Sequence, residues 1–229
     1  MSMSQTRSGH PRAARGSFSK ASLPGRRQRR QIETRQRIFR AALDLFAKRG
    51  YLETTVEDIT EAADVGKGTF FNYFPTKEHV LEHYGEERVQ TVERGLELAR
   101  SGKRPVLSVL KELATDLAGQ SSESPELLRA VFAANLTSAA VLKELQKRLG
   151  RARRLLSEII VLGQKDGQIR PEMPADEMAR LFHLIFMGVT VAWAANPDST
   201  LRSRAEEVWE LLYPSFAVDA GRSDLKRKP

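Results

Sequence analysis

The sequence predicts an all-α protein of about nine helices. Apolar residues recur at helical spacing from Ile32 to Leu212, and no stretch alternates with the period of a strand. Prolines mark the ends of the periodic segments: Pro75, Pro105, Pro125 and Pro197. At 229 residues the chain can form one or two domains and bury a sizeable core.

Residues 1–30 are rich in Ser, Gly, Pro and Arg, and predict a disordered basic arm. Its cluster Gly25–Arg30 is either a solvated tail adding phosphate affinity or an arm entering a minor groove. Ile32–Arg49 predicts the first helix, with Ile38, Ala42, Leu45 and Phe46 on one face and Gly50 beyond its end. Thr34, Arg35 and Arg37 on its first turns could touch phosphates.

Thr54–Phe74 predicts two short helices joined by a tight turn. Thr55 with Asp58, or Thr54 with Glu57 one residue earlier, makes the hydroxyl–carboxylate pair that opens a helix. Val56, Ile59 and Ala63 then share a buried face. Asp64 suits the left-handed conformation of a sharp turn, and Gly66 can start the next helix. That helix, Lys67–Tyr73, carries a cation, a glycine, a hydroxyl, an amide and a phenol, a poor recipe for a core. Asn72 can bond adenine edges, Thr69 and Tyr73 can bond phosphates, and Lys67 supplies charge. Gly68 lets the backbone come close to another surface.

The stretch from about Thr34 to Val89 resembles the DNA-binding signature of the tetracycline-repressor (TetR-like) family. A-x-x-L-F, G-Y, T-T-V-x-D-I, V-x-K-G-T-F-F-N-Y-F and a closing K-E follow in order. The family usually has Gly where this chain has Asp64, and Ser where it has Gly66. The resemblance implies a three-helix helix-turn-helix head over residues 31–91, with the motif at about 55–74. It implies a larger helical effector-binding and dimerisation body over 92–215, and a flexible tail over 216–229. Thr34, Arg35, Thr54, Thr55, Lys67, Gly68, Thr69, Phe70, Asn72, Tyr73 and Lys77 are expected at the DNA. Two heads on a two-fold axis should contact a palindrome with half-sites about 34–36 Å apart, or a multiple of that.

Thr76 is expected to cap a long helix, Lys77–Arg100, that resembles the family's connector between head and body. Its His79-Val-Leu-Glu82-His83 fits H-x-x-E-H, an inverted zinc-protease pattern. A hydrolytic zinc site needs a third ligand and a water, and no second motif supplies a cleft, so no metal ligand is assigned and zinc hydrolysis remains a remote alternative.

Pro105–Gly119, Glu126–Thr137 and Ala139–Gly163 predict three body helices, with a polar loop at 120–124. The run Lys147–Arg154 holds five cations, either a solvated helix face or a second DNA patch. Asp176–Asn196 is the most apolar helix; a helix apolar all round needs burial on all sides, which one chain struggles to give and a second copy would supply. Its uninterrupted apolar part is taken as too short to span a bilayer, and His183 interrupts it. The family pairs this helix and Thr200–Leu212 with their mates in a second subunit, implying a homodimer through about 175–196 and 200–212. It also implies a small-molecule effector of unknown identity. Phe132, Leu136, Phe182, His183, Phe186, Met187 and Trp193 are the candidate pocket, each equally compatible with ordinary core.

The net charge is +8, yet the first forty residues alone hold eleven cations against Glu33, which leaves the remainder slightly acidic. Basic charge beside the helix pair is the footprint of a nucleic-acid binder. There is no cysteine, hence no disulfide framework and no thiolate metal site. No Gly-rich phosphate loop, G-x-S-x-G or calcium loop is present, and no enzyme, catalytic residue or cofactor is expected. No apolar signal follows the basic N-terminus, and the expected location is the cytoplasm, on the nucleoid. The function expected is a sequence-specific transcriptional regulator, a repressor released by its effector. A non-specific architectural DNA binder living on the basic tail is the alternative.

Overall fold

A computed structural model describes residues 25–119, 124–137 and 139–218. The expectations for the arm up to residue 24, the loop at 120–123 and the tail from 219 lie outside these. Among the described residues there are nine helices and, besides them, one isolated antiparallel bridge, Ile169 to Ala217.

Helix α1 spans Arg26–Arg49. It begins ahead of the expected Ile32, so the disordered reading of Gly25–Arg30 is corrected. Gln28 Oε1 accepts the Gly25 N–H at 3.1 Å, and arginine and glutamine are good helix formers. The short helices α2 (Val56–Ala62) and α3 (Lys67–Tyr73) follow, and then α4 (Glu78–Arg100). Ile38, Ala42 and Phe46 of α1 pack with Ile59, Phe70, Phe74 and the start of α4 (Val80, Leu81, Tyr84) in one buried core. That core has a further contributor. Leu127, Ala130, Val131 and Ala134 of α6 (Pro125–Thr137) belong to it, and α6 lies directly against α1.

The body adds α5 (Val106–Gly119), α7 (Ala139–Lys165), α8 (Ala175–Ala195) and α9 (Leu201–Phe216). Val92, Leu96 and Ala99 from the second half of α4 pack there with Leu110, Leu113, Ile159, Phe182 and Trp209. A Cβ at Gly95 would lie 2.8 Å from Leu113 Cδ1, so α4 and α5 meet at this glycine. One helix thus runs through both cores, its first turns in the head and its last in the body.

Within one chain the last helices stay partly uncovered, and one of their expected ends is corrected. Helix α8 buries Met178, Ala179 and Phe182, but Leu184 and Val191 are 53% and 46% exposed. It is also, by length and composition, apolar enough to cross a membrane, with mean hydropathy 1.5 over 18 residues. The chain does not fade at Pro214: α9 continues to Phe216, which packs on Phe182 and Trp209. The Arg170 N–H donates to Phe216 O and the Val218 N–H to Gln168 O, at 3.0 and 3.2 Å.

Candidate nucleic-acid interface and effector cavity

The geometry of the helix pair follows from its turn chemistry. Thr55 Oγ1 accepts the Asp58 N–H at 3.1 Å, and Asp58 Oδ2 accepts the Thr55 N–H at 2.8 Å and its hydroxyl at 2.6 Å. Of the two possible starts, the chain uses Thr55 with Asp58. The Thr55 hydroxyl first, then its backbone N–H, holds the Asp58 carboxyl below its ordinary value. Asp64 turns the chain at φ 50°, the sole non-glycine among the described residues at positive φ. Gly66 then stands extended as the N-cap of α3.

On α3, Lys67, Gly68, Phe71 and Asn72 are exposed, and Thr69 and Tyr73 are half-buried. Lys67 Nζ pairs with Glu57 on α2. That hydrogen bond holds the Glu57 carboxyl below its ordinary value. Thr34 and Arg35 lie on the third turn of α1, with Arg35 exposed and its guanidinium 5.6 Å from the Phe74 ring centroid.

Three expected DNA contacts are corrected, because their side chains are used inside the head. Phe70 is fully buried in the core. Thr54 is equally buried and donates its hydroxyl to Gly50 O at 2.8 Å. Lys77 Nζ donates to Tyr51 O and Thr54 O, each at 3.0 Å, and lies 4.4 Å from the Tyr51 ring centroid. Lys77 therefore fastens the loop between α1 and α2 to the start of α4. Phe71, not among the expected contacts, is 49% exposed on α3.

The two histidines of the H-x-x-E-H pattern point to different partners. His79 Nδ1 lies 3.0 Å from Thr76 Oγ1. Thr76 does not cap α4, which starts at Glu78 after the non-capping Lys77. His83 sits between the Phe39 and Phe74 rings, with Nδ1 3.3 Å from Arg35 and Nε2 3.6 Å from Glu87. Burial, and then the Arg35 charge, push the His83 imidazole below its ordinary pKa. Among the described residues no three His, Asp or Glu side chains are grouped to hold a metal. His83 instead ties α1 and the end of α3 to the first turns of α4.

Between α4, α5, α6, α7 and α8 lies a cavity of about 170 Å³. Phe132, Phe182, His183, Phe186 and Met187 line it. Leu136 does not: it is 77% exposed on α6. Trp193 does not either. Its ring packs with Leu128 and Ala194, and its Nε1–H donates to Ser199 O at 2.7 Å. The wall also holds Arg88, Asn135 and Arg148, which the sequence reading did not single out. Arg148 belonged to the cation run read as a solvated face. Its neighbours fit that reading: Lys147 pairs with Glu144, and Arg151 ties α7 to Glu86 and Glu93 of α4. Arg148, however, falls on the buried stripe Leu145, Leu149, Ala152, Leu156, and that register was the available signal. Val131, Leu81 and Tyr84 line the cavity and belong to the head core as well.

Residues 38–84 match the sequence model of bacterial regulatory proteins of the tetR family. The transcriptional repressor DhaR of Mycobacterium sp. (strain GP1) is 30% identical over 188 residues, covering 79% of this chain and 93% of the relative. The transcriptional regulator TcmR of Streptomyces glaucescens is 51% identical over 57 residues, a match spanning 25% of either chain. Among solved structures, Thermus thermophilus FadR, a TetR-family repressor in complex with lauroyl-CoA, superposes with a TM-score of 0.56. It is 33% identical, over 78% of this chain and 92% of that one.

Proposed function

The chain belongs to the TetR family of bacterial regulatory proteins, and on that premise we propose that it is a cytoplasmic homodimeric repressor released from a palindromic operator by a small molecule. That it is a DNA-binding transcriptional regulator follows from its relatives. The observation that carries the rest is the double membership of α6. One side of this helix walls the cavity through Leu128, Phe132 and Asn135, and another lies in the head core through Leu127, Ala130 and Ala134. A ligand that moves α6 moves α1, and a ligand shifts an equilibrium only by preferring one arrangement.

The DNA face in this reading is α3 with the N-terminal part of α1. Asn72 and Phe71 are the base-reading candidates, Phe71 by apolar contact with a thymine methyl. Thr34, Arg35, Thr55, Lys67, Thr69 and Tyr73 are phosphate candidates, and Gly68 gives close approach. The division between head and body falls within α4, near residue 91. The second copy docks on α8 and α9, where Leu184, Val191, Leu211 and Tyr213 are exposed. The same docking covers the apolar face of α8.

The test is binding of the full chain to its own upstream intergenic DNA, with excess random duplex at near-physiological salt. The expected result is a discrete complex, with Asn72→Ala removing about 1–3 kcal/mol of discrimination. Lys67→Ala should weaken all sequences alike and flatten the salt dependence. Equal losses on specific and random DNA from Asn72→Ala remove it from base reading. Failure of any sequence to be preferred in a genome-wide selection favours the architectural reading.

A further inference from the structure

Among the described residues, four side-chain polar atoms are buried with no hydrogen-bond partner, and three of them belong to residues lining this same cavity: Asn135 Oδ1, Arg148 Nε and His183 Nε2. Buried polar atoms are normally satisfied, so three around one space point to something that satisfies them. Each also states what it accepts. The Asn135 amide nitrogen already donates to Val131 O at 2.9 Å, which fixes the orientation and leaves Oδ1 an acceptor in need of a donor. Arg148 Nε–H can only donate. No Asp or Glu lines the cavity. The charges of Glu82, Glu86 and Glu144 act on Arg148 without bonding it. The second guanidinium of the wall, Arg88, already donates to Leu117 O at 2.6 Å. Of the other lining residues, Thr190 donates its hydroxyl to Phe186 O and Tyr84 OH accepts from Arg88, and the remainder is apolar, largely Leu, Val and Phe side chains.

We propose that the cavity binds a small apolar carboxylic acid that carries a hydroxyl group. The carboxylate accepts from Arg148, the hydroxyl donates to Asn135 Oδ1, and the hydrocarbon body fills the space between α6 and α8. His183 Nε2 is a further partner, donating or accepting according to its tautomer. An amine would meet two guanidiniums, and a plain hydrocarbon would leave all three atoms unsatisfied. The volume sets the scale. A cavity of about 150 Å³ holds a benzene ring, so about 170 Å³ suits a single ring with its substituents. This rests on the effector-responsive reading above and specifies the effector's class.

The experiment is calorimetric titration of the full chain with the three hydroxybenzoate isomers, benzoate, phenol and aniline. At least one hydroxybenzoate should bind about tenfold or more tighter than both benzoate and phenol, the scale of one charge-assisted or neutral hydrogen bond, and aniline least. Arg148→Met should abolish the advantage over phenol, Arg148→Lys should keep part of it, and Asn135→Leu should abolish the advantage over benzoate. Without ligand, Arg148→Met should melt at or near the wild-type temperature, since it removes a half-buried guanidinium whose Nε–H is unbonded. Hydroxybenzoates that fail to bind, or that bind no better than phenol, overturn the proposal. So does an Arg148→Met protein that melts lower with its ligand preference intact, because the residue is then structural. Operator release separates the two readings. Release by lauroyl-CoA and not by any hydroxybenzoate sinks the ligand class and leaves effector control standing. A hydroxybenzoate that binds as described without weakening the operator complex sinks effector control and leaves the ligand class.

Discussion

Asp64 shows how much one residue decides in the head. Its φ of 50° lies where the family's usual glycine would sit without strain. Asp64→Val should destabilise the protein by about 1–2 kcal/mol, because a β-branched side chain resists the left-handed conformation. Chemical unfolding measures it, and a loss within error of zero would mean the turn relaxes to negative φ. The turn and the Thr55–Asp58 pair were legible in the sequence because both depend on neighbours within four residues. Lys77 was not. Its three carbonyl partners lie more than twenty residues back, and no local pattern announces that a lysine will close a loop instead of meeting a phosphate. His83 and His183 give the residue scale a pH dependence. Burial first, and then Arg35 for His83 and Arg153 for His183, hold both imidazoles below their ordinary value. The folded state thus binds fewer protons than the unfolded chain. Their contribution is complete above about pH 6.5 and is lost as pH falls below it. Urea unfolding should therefore give a lower stability at about pH 5.5 than at about pH 7.5, with His83→Gln reducing the difference. Equal stability at the two values would show that neither ring resists its proton.

At the scale of the element, α2 and α3 act as a pair held by the Lys67–Glu57 contact as well as by their turn. Both side chains are largely exposed, so the pair contributes little to stability. Its effect is on DNA, since Glu57 competes with a phosphate for the same ammonium. Glu57→Gln should tighten DNA binding severalfold at low ionic strength, with the gain fading as salt rises. A salt-independent gain would place Glu57 in base contact instead. Helix existence and order followed from periodicity, capping pairs, turn residues and prolines, and eight of the nine starts needed no tertiary information. The first helix was the exception. Its opening Arg-Arg-Gln-Arg-Arg has no apolar face, so periodicity was silent where propensity and one glutamine decided. Which cations of α7 face inward was likewise hidden by composition and visible only in register.

For the whole molecule, the exposed apolar residues of α8 and α9 carry the proposed assembly. Leu184→Glu with Leu211→Glu should yield a monomer by sedimentation and cost about tenfold or more in operator affinity, as one head loses its mate. A double variant that still sediments as a dimer would place the interface elsewhere. The proposed division into head and body was read from about Thr34 to Val89. What it left out was the contact between α1 and α6, which joins residues far apart in sequence and has no motif.

Val131 has one flank on the cavity and the other in the head core. The two units therefore share material and not merely a border. Heat should melt them in a single calorimetric transition, and a cavity ligand should slow amide exchange in α1 as well as in α6. A regulator built this way reports its ligand through the local unfolding free energy of the part that holds DNA.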